Sequence, residues 1–416
     1  MLEGLRTINP KLFYGKFSKK RRLTPKVSGN EFLEHFKKIA TELRTENGSL
    51  NNDNVNDDEP VYEELHRIIT DDEILVAISN LKRSKSHGID GLLNEYFIEY
   101  RDLLLPLLNK LFNGILISEI FPEAWSIAVM VPVFKRGDPS DPNNFRGISL
   151  VSCLAKLFTN IINNRLIEWS KTYDTITDAQ FGFRQELSTV DALFALQSVI
   201  TKMLSNKNRL YCCFVDYTKA FDTIDRLNIW YKLSKIGICG KLLSVIKSMY
   251  ENVKTCITVD GFYSDFFENQ VGLMQGEVIY TILFAIYVND CEMEFLNNCC
   301  QPVELKEVSL LLLMYADDMV IFSDTIKGLQ DMLNTLYCYT EKWKLCANIN
   351  KTKIVVFRKG GIVKENEKWF YNDVQVDVID KFTYLGVMLN FNVHFLWLKS
   401  MLGSKEEKLC LHCLET

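Results

Sequence analysis

Asp317 and Asp318 stand side by side in Tyr315-Ala316-Asp317-Asp318, between the largely apolar runs Val308 to Met314 and Met319 to Phe322. Adjacent carboxylates repel each other and pay heavily for lost hydration, so they need water or a cation nearby. Taken alone the motif reads as the acidic turn of a hairpin, because Asp is a common turn residue. A second apolar run, Leu210 to Val215, also ends directly on an acid, Asp216. Strand ends carrying Asp216 and the Asp317/Asp318 pair can hold a pair of divalent ions, the arrangement suited to in-line phosphoryl transfer. Mg²⁺ fits this donor set, since it takes hard oxygen ligands and completes its shell with waters and substrate phosphates. Mn²⁺ is the alternative ion. No His or Cys cluster competes for the role.

The elements that must position these acids follow from periodicity and turn chemistry. Thr70-Asp71-Asp72-Glu73 is a capping box, followed by Ile74, Ala77, Ile78 and Leu81 at helical spacing. Leu103 to Leu116 reads as an apolar helix interrupted by Pro106. Val151 to Trp169 reads as a helix with Lys156, Asn163 and Arg165 facing solvent or phosphate. Ser188 or Thr189 caps a helix from Val190 to Leu204, and Ile229 to Ile236 and Lys241 to Tyr250 form helices around a Gly237/Gly240 break. Thr281 to Leu296 and Leu329 to Trp343 are long amphipathic candidates. Strands are expected at Ile127 to Phe134 and Lys353 to Phe357, and a hairpin around Asp260-Gly261. A further helical segment covers Glu31 to Leu43.

Composition sets bounds. The chain has 416 residues and 47% hydrophobic content, enough for two or three globular domains. Its longest apolar runs fall well short of the ~20 residues that span a bilayer, and Met1 to Lys20 lacks a secretory apolar core. An intracellular protein of the nucleus or cytoplasm is expected. The 12 cysteines read as reduced thiols, and Cys410-Leu411-His412-Cys413 is half of a metal-binding spacing without a second half. The net charge of −5 neither supports nor excludes a nucleic-acid partner. Acids gather in Asn51 to Glu64, which reads as a linker, and bases in Lys16 to Lys26, which reads as a solvated stretch, phosphate contact or import signal.

Several ordered blocks resemble the reverse transcriptase region of non-LTR (LINE-type) retrotransposons. They are Lys85-Ser86-His87-Gly88-Ile89-Asp90-Gly91; Pro132-Val133-Phe134-Lys135-Arg136-Gly137-Asp138 with Asn144-Phe145-Arg146-Gly147-Ile148-Ser149-Leu150; and Gln180-Phe181-Gly182-Phe183-Arg184 with Ser188-Thr189. Phe214-Val215-Asp216-Tyr217-Thr218-Lys219-Ala220-Phe221-Asp222 follows. After it come Gln275-Gly276, Leu283-Phe284 and Tyr287-Val288-Asn289-Asp290, then Asn348-Ile349-Asn350-Lys351-Thr352 and Tyr384-Leu385-Gly386. The resemblance implies an α+β right-hand polymerase, with fingers over 69–209 and a ferredoxin-like palm over 210–389. It implies an RNA-directed DNA polymerase that extends a primed 3′ end. RNA template, DNA primer or RNA–DNA hybrid, and deoxynucleoside triphosphates would be the partners, with no membrane.

Site roles follow from the same resemblance. Asp216 and Asp317 are the expected metal ligands, with Asp318 as supporting acid. Arg146 resembles the residue that grips the incoming triphosphate, where a guanidinium fork suits phosphate, and Lys135 or Arg136 would assist. Phe221 resembles a steric gate beneath the sugar 2′ position; the alternative is a buried palm ring. Gln275 and Gly276 resemble the loop against the nascent pair. Lys351 resembles a lysine that protonates or holds the pyrophosphate, against the simpler reading of a surface lysine. Asp222 reads as structural, bonding backbone or steering Lys219, and Asp290 as a local cap or pair.

Departures from the pattern set a second expectation. Tyr280-Thr281 stand where the family has Ser-Pro, and Tyr280 is bulky enough to crowd template or nucleotide, while Thr281 can still cap the helix. His87 replaces a small residue or Pro. Residues 1–68 read as an extension and linker. The tail 390–416 is too short for a helical thumb and departs from the family pattern, so a thumb truncated or absent is expected. The family's endonuclease domain is not recognisable on the N-terminal side. The alternative function is therefore an impaired retrotransposon remnant that binds RNA or hybrid without polymerising.

Overall fold

A computed structural model describes residues 27–41 and 62–392, apart from 136, 185 and 306–307. The basic stretch 16–26, most of the acidic linker and Cys410 to Cys413 lie outside the described residues, as does nearly all of the 390–416 tail. Among the described residues no helix is long and apolar enough to cross a membrane.

The N-terminal half is mostly helical. Helix α1 (Gly29–Thr41) is followed by α2 (Glu63–His66), α3 (Asp71–Ser79), α4 (Asn94–Glu99) and α5 (Arg101–Ser118). The Thr70 capping box forms, with Thr70 accepting from the Glu73 N–H and Glu73 reaching back. Pro106 does not interrupt α5. The carbonyl it cannot bond, that of Asp102, lies in the exposed first turn, where water can replace the missing donor.

Strands β1 (Ile127–Phe134) and β2 (Phe145–Leu150) form an antiparallel hairpin, with Val133 opposite Arg146. Helices α6 (Cys153–Thr172) and α7 (Thr189–Ser205) lead to β3 (Leu210–Val215). Then come α8 (Arg226–Lys235) and α9 (Gly240–Glu251), and the short strands β4 (Lys254–Val259), β5 (Phe262–Tyr263) and β6 (Phe267–Glu268). β4 pairs in parallel with β1, so chain from within the 210–389 span completes the sheet begun by the β1–β2 hairpin. Helix α1 covers this sheet: Phe32 meets Phe145 edge-on at 4.8 Å, within a cluster that includes Phe36, Ile257 and Phe267.

A small hairpin of β7 (Val303–Leu305) and β8 (Val308–Leu310) precedes a second sheet, antiparallel throughout, in the order β11 (Lys353–Phe357), β3, β10 (Asp318–Ser323), β9 (Leu312–Tyr315). Helix α12 (Ile326–Lys342) lies between β10 and β11 in the chain. Every residue of β3 is buried. Leu210, Cys212 and Phe214 pack with α7, while Tyr211, Cys213 and Val215 join the main core, the alternation a strand covered on both faces must show.

Two expectations fail for tertiary reasons. The proposed helix Thr281 to Leu296 is two helices, α10 (Tyr280–Tyr287) and α11 (Cys291–Asn297). At the break, the buried Lys232 ammonium donates to the Tyr287 carbonyl and to Asp290 at 2.6 Å, and Asn289 bonds Thr175 and Thr177. The first of these takes up a backbone carbonyl that would continue the helix, and the side-chain contacts of Asn289 and Asp290 anchor the break. Asp290 is thus a partner of Lys232 and of the Tyr339 hydroxyl. Arg165 does not face solvent or phosphate. It is 3% exposed, grips Glu73 with two N–H groups at 2.7 and 3.0 Å, and donates to the Arg67 and Ile68 carbonyls. Asn163 is buried as well. Removing one member of a buried pair strands the other charge, so Arg165→Ala should destabilise the fold by about 3–5 kcal/mol. The urea midpoint reads this, and an unchanged midpoint would refute the pairing.

Candidate active site

The acids meet because of strand register. Met319 of β10 lies opposite Val215 of β3. One residue beyond this pair stand Asp216 and Asp318, close enough for the Asp216 charge to act on Asp318. The Tyr315–Asp318 turn is tight, with Ala316 in the left-handed region at φ 58°. The backbone of Asp216 is pinned by the segment before β11: its carbonyl accepts from the Asn348 N–H at 2.7 Å, and its N–H donates to the Thr352 hydroxyl at 3.2 Å.

The electrostatics are those of crowded like charges. Burial raises the Asp317 carboxyl, opposed by its own backbone hydrogen bond and by the Arg146 and Lys135 charges, while Asp216 adds to the rise. Asp318 keeps solvent contact, yet loss of hydration around its carboxyl, followed by the Asp317 and Asp216 charges, pushes it up to about 6. Lys351 stands 3.6 Å from Asp216, an ion pair too long to be a hydrogen bond, and Asp216 Oδ2 is buried without a hydrogen-bond partner.

These observations fit a divalent cation. Among the described residues no group of three or more Asp, Glu, His or Cys side chains is arranged to hold a metal ion. Mg²⁺ asks for less, because it uses one or two carboxylates and leaves the rest of its shell to water and substrate oxygens. Two raised carboxyls, beside an Asp216 oxygen that already faces the Lys351 ammonium at 3.6 Å, are what a cation would relieve.

The expected nucleotide-binding residues sit across from the acids. Arg146 on β2 and Lys135 just beyond β1 are exposed, and both charges reach Asp317; the side chain of Arg136 lies outside the described residues. Arg146 Nε donates to Gln275 Oε1, and Gln275 Nε2 donates to Asp222 at 2.7 Å. The Gln275 carbonyl accepts from the Ser149 N–H at 2.7 Å, and a Cβ on Gly276 would lie 2.2 Å from the Ser149 carbonyl oxygen. Glycine is therefore required where the loop crosses β2, at φ 121°.

Asp222 belongs to this cluster, which its sequence neighbours did not reveal. Burial pushes its carboxyl up to about 6, against the pull of Lys219 and the Gln275 hydrogen bond. Its Gln275 partner is far along the chain, so only the repeated acid after Phe221 hinted at it. Lys219 contacts His35 of α1 at 3.2 Å.

Phe221 is 4% exposed and packs on Phe284 at 4.4 Å and Tyr280 at 5.4 Å. Tyr280 lies edge-on to both Phe221, at 5.4 Å, and Phe183, at 6.5 Å. Thr281 does not cap α10. Ile279 occupies the cap position, and the Thr281 hydroxyl donates back to the Val278 carbonyl at 3.2 Å.

A carboxyl raised in the folded state opposes folding once it ionises. Asp318 binds a proton in the folded protein up to about pH 6, whereas its reference value is 3.8. Stability should therefore fall as pH rises through that window. Asp318→Asn should raise the urea midpoint above pH 6 and lose the gain near pH 4. A pH-independent effect would refute the shift.

Residues 134–389 match the reverse transcriptase (RNA-dependent DNA polymerase) family. The chain is 28% identical over 331 residues to the probable RNA-directed DNA polymerase from transposon BS of Drosophila melanogaster, covering 78% of this chain and 36% of that protein. It is 28% identical over 334 residues to the RNA-directed DNA polymerase from mobile element jockey of Drosophila funebris, covering 79% and 36%. Among solved structures, apo telomerase from Candida tropicalis, truncated from its C-terminal domain, aligns with a TM-score of 0.46 at 15% identity, covering 76% of this chain and 62% of that one. The chain thus spans about 36% of the length of both mobile-element relatives. The family match runs from the end of β1 through both acidic strand ends, over more than half of the sequence, and the chain belongs to the reverse transcriptase (RNA-dependent DNA polymerase) family in its non-LTR retrotransposon branch.

Proposed function

We propose that this chain adds deoxynucleotides to a primed 3′ end on an RNA template. The observation that carries the reading is the meeting of Asp216, Asp317 and Asp318 at two paired strand ends, opposite Arg146 and Lys135. Asp216 and Asp317 would hold Mg²⁺ or Mn²⁺, with Asp318 supporting. Bound there, the pair of ions would lower the pKa of the primer hydroxyl and offset charge on the triphosphate.

The chain's own groups do the rest. The exposed Arg146 guanidinium offers its fork to a phosphate, while Gln275 holds its Nε and so sets its plane. Lys135 adds a second cation on the same side. Gly276 lets the backbone run close to the nascent pair. Lys351, beside Asp216, balances acidic charge and would serve as proton donor to a leaving pyrophosphate. Phe221 and Tyr280 form a rigid apolar floor, against which a ribose 2′-hydroxyl would be excluded. Residues 69–209 with the β4–β6 strands would act as fingers, and the remainder of 210–389 as palm.

Primer extension on an RNA template with Mg²⁺ tests the reading. Extension should occur and be abolished in Asp216→Ala and Asp317→Ala, while hybrid binding survives. Hybrid binding without extension by the wild-type chain would favour the impaired remnant instead. Phe221→Val should raise ribonucleotide use by roughly 10–200-fold relative to deoxynucleotides, the range for one changed pocket contact. Unaltered sugar selectivity would reduce Phe221 to a packing residue.

A further inference from the structure

The Gln180-Phe181-Gly182 segment, which carries no role in the reading above, lies against the acidic hairpin. Met314 N–H donates to the Ala179 carbonyl at 2.7 Å and Phe181 N–H to the Met314 carbonyl at 2.8 Å, so the segment adds a short parallel bridge to β9. Gln180 is 0% exposed. Its Oε1 accepts from the Gly182 N–H at 2.8 Å and from the Ala316 N–H at 3.1 Å. Ala316 is the left-handed residue directly before Asp317. A Cβ on Gly182 would lie 2.3 Å from the Ala316 nitrogen, so the two turns touch backbone to backbone.

The orientation of the Gln180 amide is itself informative. Its Nε2 is buried with no hydrogen-bond partner. Turning the amide over would set N–H groups against N–H groups and lose both bonds. The fold thus leaves one buried donor unsatisfied to keep a carbonyl on the catalytic turn.

We propose that Gln180 is a positioning residue that holds the Ala316 N–H and thereby fixes the direction in which Asp317 is presented to a divalent cation. The inference rests on the reading of Asp317 as a metal ligand. Gln180 touches neither the cation nor the substrate, and acts through the turn. Loss of a partner that orients a ligand typically weakens metal affinity about 10–100-fold.

Mn²⁺ binding to the full chain without nucleic acid, followed by water-proton relaxation, is the test. Wild type should bind, and Asp317→Ala should abolish that binding. Gln180→Met, of similar length but with no acceptor, should weaken Mn²⁺ by about 10–100-fold. Gln180→Glu, which keeps an acceptor oxygen, should retain it. In primer extension Gln180→Met should raise the Mg²⁺ concentration for half-maximal rate and leave hybrid affinity unchanged, a split that a general loss of packing would not give. Should Gln180→Met fail to fold, Gln180→Asn serves in its place, since it withdraws the amide by one methylene. Unchanged Mn²⁺ affinity in a folded Gln180→Met or Gln180→Asn overturns the inference. Failure of both variants to fold also overturns it, by assigning Gln180 to core stability. Absence of Mn²⁺ binding in the wild type, or binding indifferent to Asp317→Ala, overturns the metal-ligand reading and this inference with it.

Discussion

Mutual repulsion among Asp216, Asp317 and Asp318 is the constraint around which the rest of the chain is arranged. Carboxylates at this spacing would separate on any flexible support, because each loses hydration as it approaches the others. The protein denies them that freedom. β3 is buried on both faces and paired on both edges, by β10 and β11. Asp216 is held by its backbone rather than its side chain, through Asn348 and Thr352. Its position is thereby fixed while its carboxylate faces the Lys351 ammonium at 3.6 Å.

The same logic links the two sheets. β4, reached only after the palm's first strand, returns to pair with β1. The loop that follows crosses β2 at Ser149 and Gly276. Its Gln275 joins Arg146 on β2 to Asp222. An exposed guanidinium is thus tied, through one amide, to a buried carboxyl. An amide suits that place because it can accept from a guanidinium and donate to a carboxylate at once.

Much of the framework was legible in local pattern. The strands at Ile127–Phe134, Leu210–Val215 and Lys353–Phe357 and the Thr70 capping box follow from apolar runs, breakers and caps that act within a few residues. Failures occurred where a distant group outbid local preference. Lys232 and Asn289 split an apolar helical run into α10 and α11. Glu73 drew Arg165 inward from a face that looked solvated. Thr281 met a carbonyl rather than an orphan N–H, because the helix starts one residue earlier, at Tyr280, and places Thr281 inside its first turn.

By itself the sequence determined which acids end apolar strands, which cations accompany them, and the order of blocks that marks the family. Those features are written in residue type and short spacing. Tertiary structure alone decided that the strand leading into Asp216 and the strand starting at Asp318 pair side by side, that Gln275 joins Arg146 to Asp222, and that the Gln180 amide lies under Ala316. Each of these depends on pairing between residues far apart in the chain, and a hydrogen bond or charge contact carries no trace in the sequence between its partners. Register supplies the physical reason: a slip of one residue would turn the acids to opposite faces of the sheet, with every apolar run intact.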